Sequence, residues 1–464
     1  MNELTIRLEA GSPSPLYEQI YEHIKTEIKN GELPFEERLP STRMLARHLQ
    51  VSRSTVELAY EQLLSEGYIE SLPYRGYFVC RLDGIVHLEE RKLVLPRRRA
   101  EQKPVYTYDF SPSGIDVNSF PHNTWKKLSK SILMEENKEL FMLGDPQGEE
   151  SLRTTIAAYL HQARGVSCTA EQVVVGAGND YLLMLLVNLL GNGCRVAMEN
   201  PTYKKAYHVL ASMAESVAAV EMDKSGMDVE ALERSGARVA YVMPSHQFPM
   251  GTVMPVKRRM ELLLWASEKE GRYVLEDDYD SEFRYKGKPI PALQGFDAKG
   301  KVVYLGTFSR SIAPSIRISY MVLPQSLLEI YQEKGRCFSC TVSKVDQMLI
   351  MRFLREGHYE RHLNRMRAVY KSRHDVLLEE LGSLGGICEV SGENAGVHLL
   401  LHFANGMSGE EAVARAKKAG VRVYGLSDFI IGRQIASPTV ILGYATMEEE
   451  GIREAVGRLR EVWK

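Results

Sequence analysis

The stretch Leu39–Ser71 is the most informative in the chain, because its residues spell two short helices joined by a tight turn. Ser41 to Leu49 has helical spacing of apolar residues, and Gln50–Val51–Ser52 interrupts it. A second helix is expected from Ser54 to Glu66, opened by Arg53, Ser54 and Thr55 and closed by Gly67 as its C′ residue. Two short helices joined by three or four residues form a helix-turn-helix. The second helix of such a unit enters the DNA major groove by its N-terminus.

The residue types agree with that reading. Arg38, Arg43, Arg47 and Arg53 occur with no acid between Glu37 and Glu57. Arg43 lies in a first helical turn, where the macrodipole disfavours a cation, and phosphate contact would account for it. Ser52, Ser54 and Thr55 offer short hydroxyls to phosphate oxygens, and Arg53 can reach a guanine edge. Tyr74–Arg75–Gly76–Tyr77–Phe78–Val79 follows a short strand at Tyr68 to Ser71. The turn presenting Arg75 and Gly76 is expected to act as a wing. The competing reading is a small helical bundle with a solvated arginine face. The segment Pro15–Val79 resembles the GntR-type winged helix-turn-helix, whose pieces LPS-x-R-x-LA, VSR-x-T, EGYI and RG-x-F/Y-V stand here in order.

At 464 residues the chain is far longer than one such module and should hold two or three domains. The formal net charge is −2, so DNA affinity must come from a local patch. Glu3 and Glu9 oppose a secretory leader, and the longest apolar run, Tyr181–Leu190, is too short to span a bilayer. A cytoplasmic protein with no membrane partner is expected. The six cysteines lack framework spacing, and Cys337-x-x-Cys340 is a single pair, so no metal site is expected. The expected organisation is a mainly α DNA-binding domain at 1–80, a charged tether at 81–105 and an α/β domain at 106–464. The tether carries Arg91, Lys92, Arg97, Arg98, Arg99 and Lys103, with a secondary phosphate contact as the alternative to a solvated role.

From Tyr106 short apolar strands alternate with helical periods: Val173–Val175, Arg195–Met198, Val217–Val220, Val239–Met243, Tyr273–Leu275, Val302–Tyr304 and Ile318–Val322. That alternation predicts a mostly parallel sheet covered on both faces, with ligands beyond the strand C-termini. The residues there are chemically pointed. Gly176–Ala177–Gly178–Asn179–Asp180 turns into a helix, a setting that receives anions. Tyr203, Asp277 with Tyr279, and Thr307 with Arg310 and Arg317 follow other strands. Together they suggest a pyridoxal phosphate pocket.

Residues from about Tyr108 to Trp463 resemble the fold-type I aspartate aminotransferases. With EDDYDSEFRY, PSHQFP and GTFS-x-S-x-AP-x-x-R, the whole chain resembles the MocR/GabR group of GntR-type regulators. The resemblance implies a large pocket domain at about 106–342 and a smaller α+β lobe at about 343–464. It assigns Asp277 to the pyridine nitrogen, Tyr279 to the phenolic oxygen and Tyr203 to the ring face. Ala177, Gly178, Asn179, Thr307 and Arg317 are assigned to the phosphate, and Lys205 to a substrate or effector carboxylate.

Two departures bear on mechanism. The family's Schiff-base lysine, in TFSK, is replaced by Arg310, and a guanidinium stays protonated and is not a nucleophile. The arginine that relatives carry just before LGF/LGY is missing from Thr439–Tyr444, with Arg433 upstream as a substitute. The expectation is a DNA-binding regulator sensing pyridoxal phosphate, its amino acid adduct or a related amino acid, amine or B6 vitamer. Transaminase turnover is not expected, and a homodimer is. A working aminotransferase with a DNA module, and a structural dimerisation domain with an empty pocket, are the alternatives.

Overall fold

The computed structural model describes residues 6–9, 11–82, 106–134, 138–285, 289–432 and 436–464. The basic tether residues 91–103 and Arg433 lie outside the described residues. Chain contacts divide into two compact units, Met1–Gln102 and Lys103–Lys464.

The first unit has helices Leu16–Lys29, Thr42–His48 and Arg53–Ser65, then an antiparallel hairpin of Ile69–Leu72 with Gly76–Val79. Each short helix begins where a serine can cap it. Ser41 Oγ accepts from the Met44 N–H, and Ser52 Oγ from the Thr55 N–H. The second helix ends as Gly67 predicts. Gly67, at φ 75°, donates to the Leu64 carbonyl, and Tyr68 donates to Leu63. Those two bonds form a Schellman cap. Ile20 and Ile24 on one helix meet Val56, Tyr60 and Leu63 on another, all fully buried. This packing fixes the helix pair and leaves Arg43 and Arg53 outside the core.

The second unit is built on an eight-stranded sheet. In spatial order its strands are Val173–Gly176, Ser319–Val322, Val302–Thr307, Tyr273–Asp278, Val239–Val242, Arg195–Asn200, Ser216–Asp223 and Gly226–Met227. The five strands from Val302–Thr307 to Ser216–Asp223 pair in parallel. Ser319–Val322 runs antiparallel to both neighbours, and Gly226–Met227 to its one neighbour. Side chains alternate between faces, as the two-residue period requires. Tyr241 and Leu275 join the apolar cluster on one face, and Ala240 and Val274 join the other.

A smaller lobe follows, with helices Lys344–Arg355 and His358–Leu381, a four-stranded antiparallel sheet and a closing helix Glu449–Trp463. Tyr108–Asp109 pairs with Val421–Arg422, and Phe110 exchanges backbone bonds with Arg422 and Gly443. The segment 108–110 is therefore stitched to the smaller lobe by its backbone hydrogen bonds, although the resemblance places it in the pocket domain. Tyr181–Leu190 falls within the sheet-covering helix Asn179–Leu190. Among the described residues, no helix is long and apolar enough to cross a membrane.

Candidate functional site

A cavity of about 230 Å³ opens beyond the C-terminal ends of the parallel strands. Its walls bring together Asn179, Tyr203, Lys205, Asp277, Tyr279, Thr307, Arg310 and Arg317, residues up to 138 positions apart in sequence. Asp277 is the penultimate residue of the strand Tyr273–Asp278 and is buried. Its carboxylate accepts hydrogen bonds from the Tyr241 hydroxyl and, at 3.3 Å, from Asn179 Nδ2. Among the described residues, no cation is ion-paired with it. Burial, helped by the charges of Asp278 and Asp280 and opposed by the Tyr241 bond, pushes its carboxyl up to about 7.

The anion-receptive turn is tightly specified. Gly178 has φ 90°, and a Cβ there would lie 2.3 Å from Arg317 Nη2. Only glycine lets the turn and that guanidinium approach each other. The first N–H groups of the helix Asn179–Leu190 have no intrahelical acceptor. The N–H groups of Ala177 and Gly178 are already used: Ala177 donates to Thr341 Oγ1 at 2.8 Å and Gly178 to the Gly176 carbonyl at 2.8 Å. These two residues shape the turn beside the cavity and do not line it.

Arg317, at φ 54°, donates to the Ala177 carbonyl and pairs with Asp180, each at 3.1 Å. Thr307 Oγ1 accepts from the Ser309 N–H at 3.1 Å and from Ser319 Oγ at 2.8 Å. Among the described residues, two buried atoms of cavity residues, Ser309 Oγ and Asn179 Oδ1, have no hydrogen-bond partner. Both residues line the cavity, but these two atoms are closed off from solvent.

Arg310 is held from the chain segment ahead of the pocket. Its guanidinium donates to the Pro112 carbonyl at 2.8 Å and the Gly114 carbonyl at 3.3 Å, and lies 5.8 Å from the Tyr279 ring centroid. Lys205 pairs with Asp180 Oδ2 at 2.7 Å. Tyr203 packs edge-on against Phe248, with ring centroids 5.9 Å apart.

Several neighbours went unassigned in the sequence. Tyr241 looks there like any strand residue. His246, inside the PSHQFP motif, places Nδ1 at 3.0 Å from the Tyr279 hydroxyl and 2.9 Å from Asp280. The strand-end position of PSHQFP marked the loop, but nothing local marks which of its side chains reaches Tyr279. Among the described residues, no cluster suits a metal ion, and Cys337 and Cys340 are free thiols.

In the first unit, Ser52 Oγ also lies 2.8 Å from Ser54 Oγ and 2.7 Å from Thr55 Oγ1. These hydroxyls therefore pre-form the helix start. Arg53 pairs through Nε with Glu57 at 2.7 Å, an exposed i,i+4 bridge of small energetic value. Arg75 sits in the hairpin turn, 5.4 Å from the Phe78 ring, and Gly76 has φ 105° beside Arg38. Arg43 is exposed.

Two family models match. The model for bacterial regulatory proteins of the gntR family covers residues 16–79, and that for aminotransferase class I and II covers 114–459. The HTH-type transcriptional regulator YdeL of Bacillus subtilis is 38% identical over 97% of both chains. The probable rhizopine catabolism regulatory protein MocR of Rhizobium meliloti is 32% identical over 98% of this chain and 95% of its own. Among solved structures, the kynurenine aminotransferase of Pyrococcus horikoshii superposes with a TM-score of 0.69 at 27% identity, over 78% of this chain and 91% of that one. The α-aminoadipate aminotransferase LysN of Thermus thermophilus, solved with N-(5′-phosphopyridoxyl)-L-leucine, gives 0.67 at 26% identity, over 78% and 92%. The chain belongs to the MocR-type transcriptional regulators, in which a GntR-family helix-turn-helix unit precedes an aminotransferase class I and II domain.

Proposed function

We propose that the aminotransferase-like unit is a sensor. It binds pyridoxal phosphate, an adduct of it with an amino acid, or a related phosphorylated effector, and does not turn it over. The observation that carries this reading is Arg310: a guanidinium lies in the cavity, held by two backbone carbonyls, where the family resemblance expects the Schiff-base lysine. The cavity otherwise suits a phosphorylated pyridine. Among the described residues Asp277 has no cation partner, and Gly178 leaves room beside Arg317.

In this reading Arg317, Thr307, Ser309 and the N-terminus of the helix from Asn179 hold the phosphate. Asp277 holds the ring nitrogen, and Tyr203 covers the ring. When bound, pyridoxal phosphate supplies an electron-poor ring that stabilises negative charge on an attached carbon. Arg310 contributes binding and orientation only, since its donors do not deprotonate at neutral pH. A lysine there would supply both a nucleophile and a proton acceptor. The winged helix reads the operator, and the unit pairs with a second copy so that two winged helices meet two half-sites.

The test is to titrate purified protein with pyridoxal phosphate by calorimetry while recording the visible spectrum, with Arg310→Lys alongside. Expected are micromolar binding without a new band in the native protein, and a new band in the variant. A band in the native protein would return the enzyme reading. No heat from either protein would remove pyridoxal phosphate as the ligand.

A further inference from the structure

Asp180 is the second residue of the helix that begins at the anion-receptive turn. Its Oδ2 lies 2.7 Å from Lys205 Nζ and 3.1 Å from Arg317 Nη2, so one carboxylate oxygen bridges two cations of the cavity wall. The Lys205 and Arg317 side chains are 53% and 45% exposed, which leaves both within reach of a solute. The first helical turn also favours a negative charge where Asp180 stands. Burial pushes its carboxyl up, but Lys205 and Arg317 together outweigh that and hold it below the ordinary aspartate range. Asp180 thus supplies from within the chain the interactions that an incoming anion would make. Asn179, Thr307 and Ser309 line the same cavity as Asp180, Lys205 and Arg317.

We propose that Asp180 is a built-in competing anion, so that the site selects a ligand whose anionic group carries more charge than a carboxylate, as a phosphate dianion does. This deepens the sensor reading and rests on it for the cavity being a ligand site. A carboxylate ligand would replace one unit of negative charge with another. It would also leave the displaced Asp180 ionised and unpaired a few ångströms away, which is a net loss. A phosphate ester carries about −1.5 to −2 charge at neutral pH and three acceptor oxygens. It can engage both cations and the open N–H groups of the helix together, and so offsets the displacement. Lys205 then serves the phosphate end of the ligand, not only a carboxylate.

The experiment titrates the full chain and Asp180→Asn with inorganic phosphate and with acetate, by calorimetry and by thermal shift. Phosphate is expected to bind the native protein at least tenfold more tightly than acetate. Asp180→Asn should tighten phosphate tenfold or more and bring acetate into the measurable range. Asp180→Ser should repeat the gain, and adding Lys205→Met to Asp180→Asn should reverse most of it. Circular dichroism checks that each variant is folded. The proposal is overturned by an Asp180→Asn protein that binds phosphate no more tightly than the native one, or by a native protein that holds acetate as well as phosphate. Pyridoxal phosphate run in parallel separates the two readings. If neither protein binds it while Asp180→Asn still gains phosphate affinity, the cofactor falls and the competing anion stands. If both bind it equally, the sensor stands and the competing anion falls.

Discussion

At the scale of single residues, the cavity depends on two positions whose chemistry cannot be exchanged. Gly178 combines a positive φ with a guanidinium where its Cβ would go. Gly178→Ala is expected to displace Arg317 and weaken pyridoxal phosphate binding by about tenfold or more, the scale of one lost charge-assisted hydrogen bond at about 1.5–3 kcal/mol. Calorimetry of the folded variant checks this, and unchanged affinity would remove Arg317 from the phosphate site. Arg310 acts in two ways, as the side chain in the lysine's place and as a tie to the Pro112 and Gly114 carbonyls. Arg310→Ala should cost about 1–3 kcal/mol of stability in urea unfolding, because partly buried carbonyls lose their donors. A stability equal to the native one would show that water replaces the guanidinium fully. Arg310 was legible as a departure from a pattern, but its carbonyl partners were not. They come from residues 196 and 198 positions earlier.

At the scale of elements, the helix-turn-helix is the most locally encoded part of the chain. Ser52→Ala removes the cap of the second helix and should cost about 1 kcal/mol in the first unit's unfolding. Gly67→Ala should cost a comparable amount, roughly 1 kcal/mol, because alanine must adopt a positive φ there. Either variant matching the native midpoint would contradict the capping assignment. Arg43 is expected to meet phosphate and not a base. Arg43→Ala should therefore lower the slope of log affinity against log salt by about one on mixed-sequence duplex DNA. An unchanged slope would move Arg43 out of the interface. The end of the second helix was readable because the Gly67 stop acts within four residues, whereas Ser41 and Ser52 were not read as the caps they are. Five of the seven strands were readable as apolar runs that stopped short of their polar ends, such as Glu276–Asp277–Asp278, which are buried only by their neighbours, while Val239–Met243 and Ile318–Val322 each overran by one residue.

At the scale of the whole molecule, buried carboxyls set how the second unit responds to pH. Burial pushes Asp277, Glu199, Glu276 and Glu282 each up to about 7. A folded protein that holds protons more tightly than the unfolded chain is stabilised at low pH, fully below the ordinary carboxyl range. It loses that stability as pH rises through the folded value. Buried His398, pushed down to about 3, works oppositely, but only below its ordinary titration near 6.5. Between pH 6.5 and 8 the carboxyls decide, and the melting temperature of the second unit should fall across that window. A rise would show that those groups ionise freely when folded. The two contact units also predict two calorimetric transitions. Pyridoxal phosphate should raise only the one belonging to Lys103–Lys464, since a ligand stabilises what it binds.

Local sequence was enough for the helix-turn-helix, its Gly67 stop, the seven main strands of the large sheet and the set of strand-end residues. These follow from spacing and from side chains acting on their own backbone. What those side chains do to one another was set by packing between distant segments. That packing joined Tyr241 to Asp277, His246 to Tyr279, Arg310 to Pro112 and Gly114, and Asp180 to both Lys205 and Arg317. Such contacts depend on strand order and on which face of the sheet each residue takes. No local rule carries that information, because it is settled when distant segments pack and buried charges must find partners.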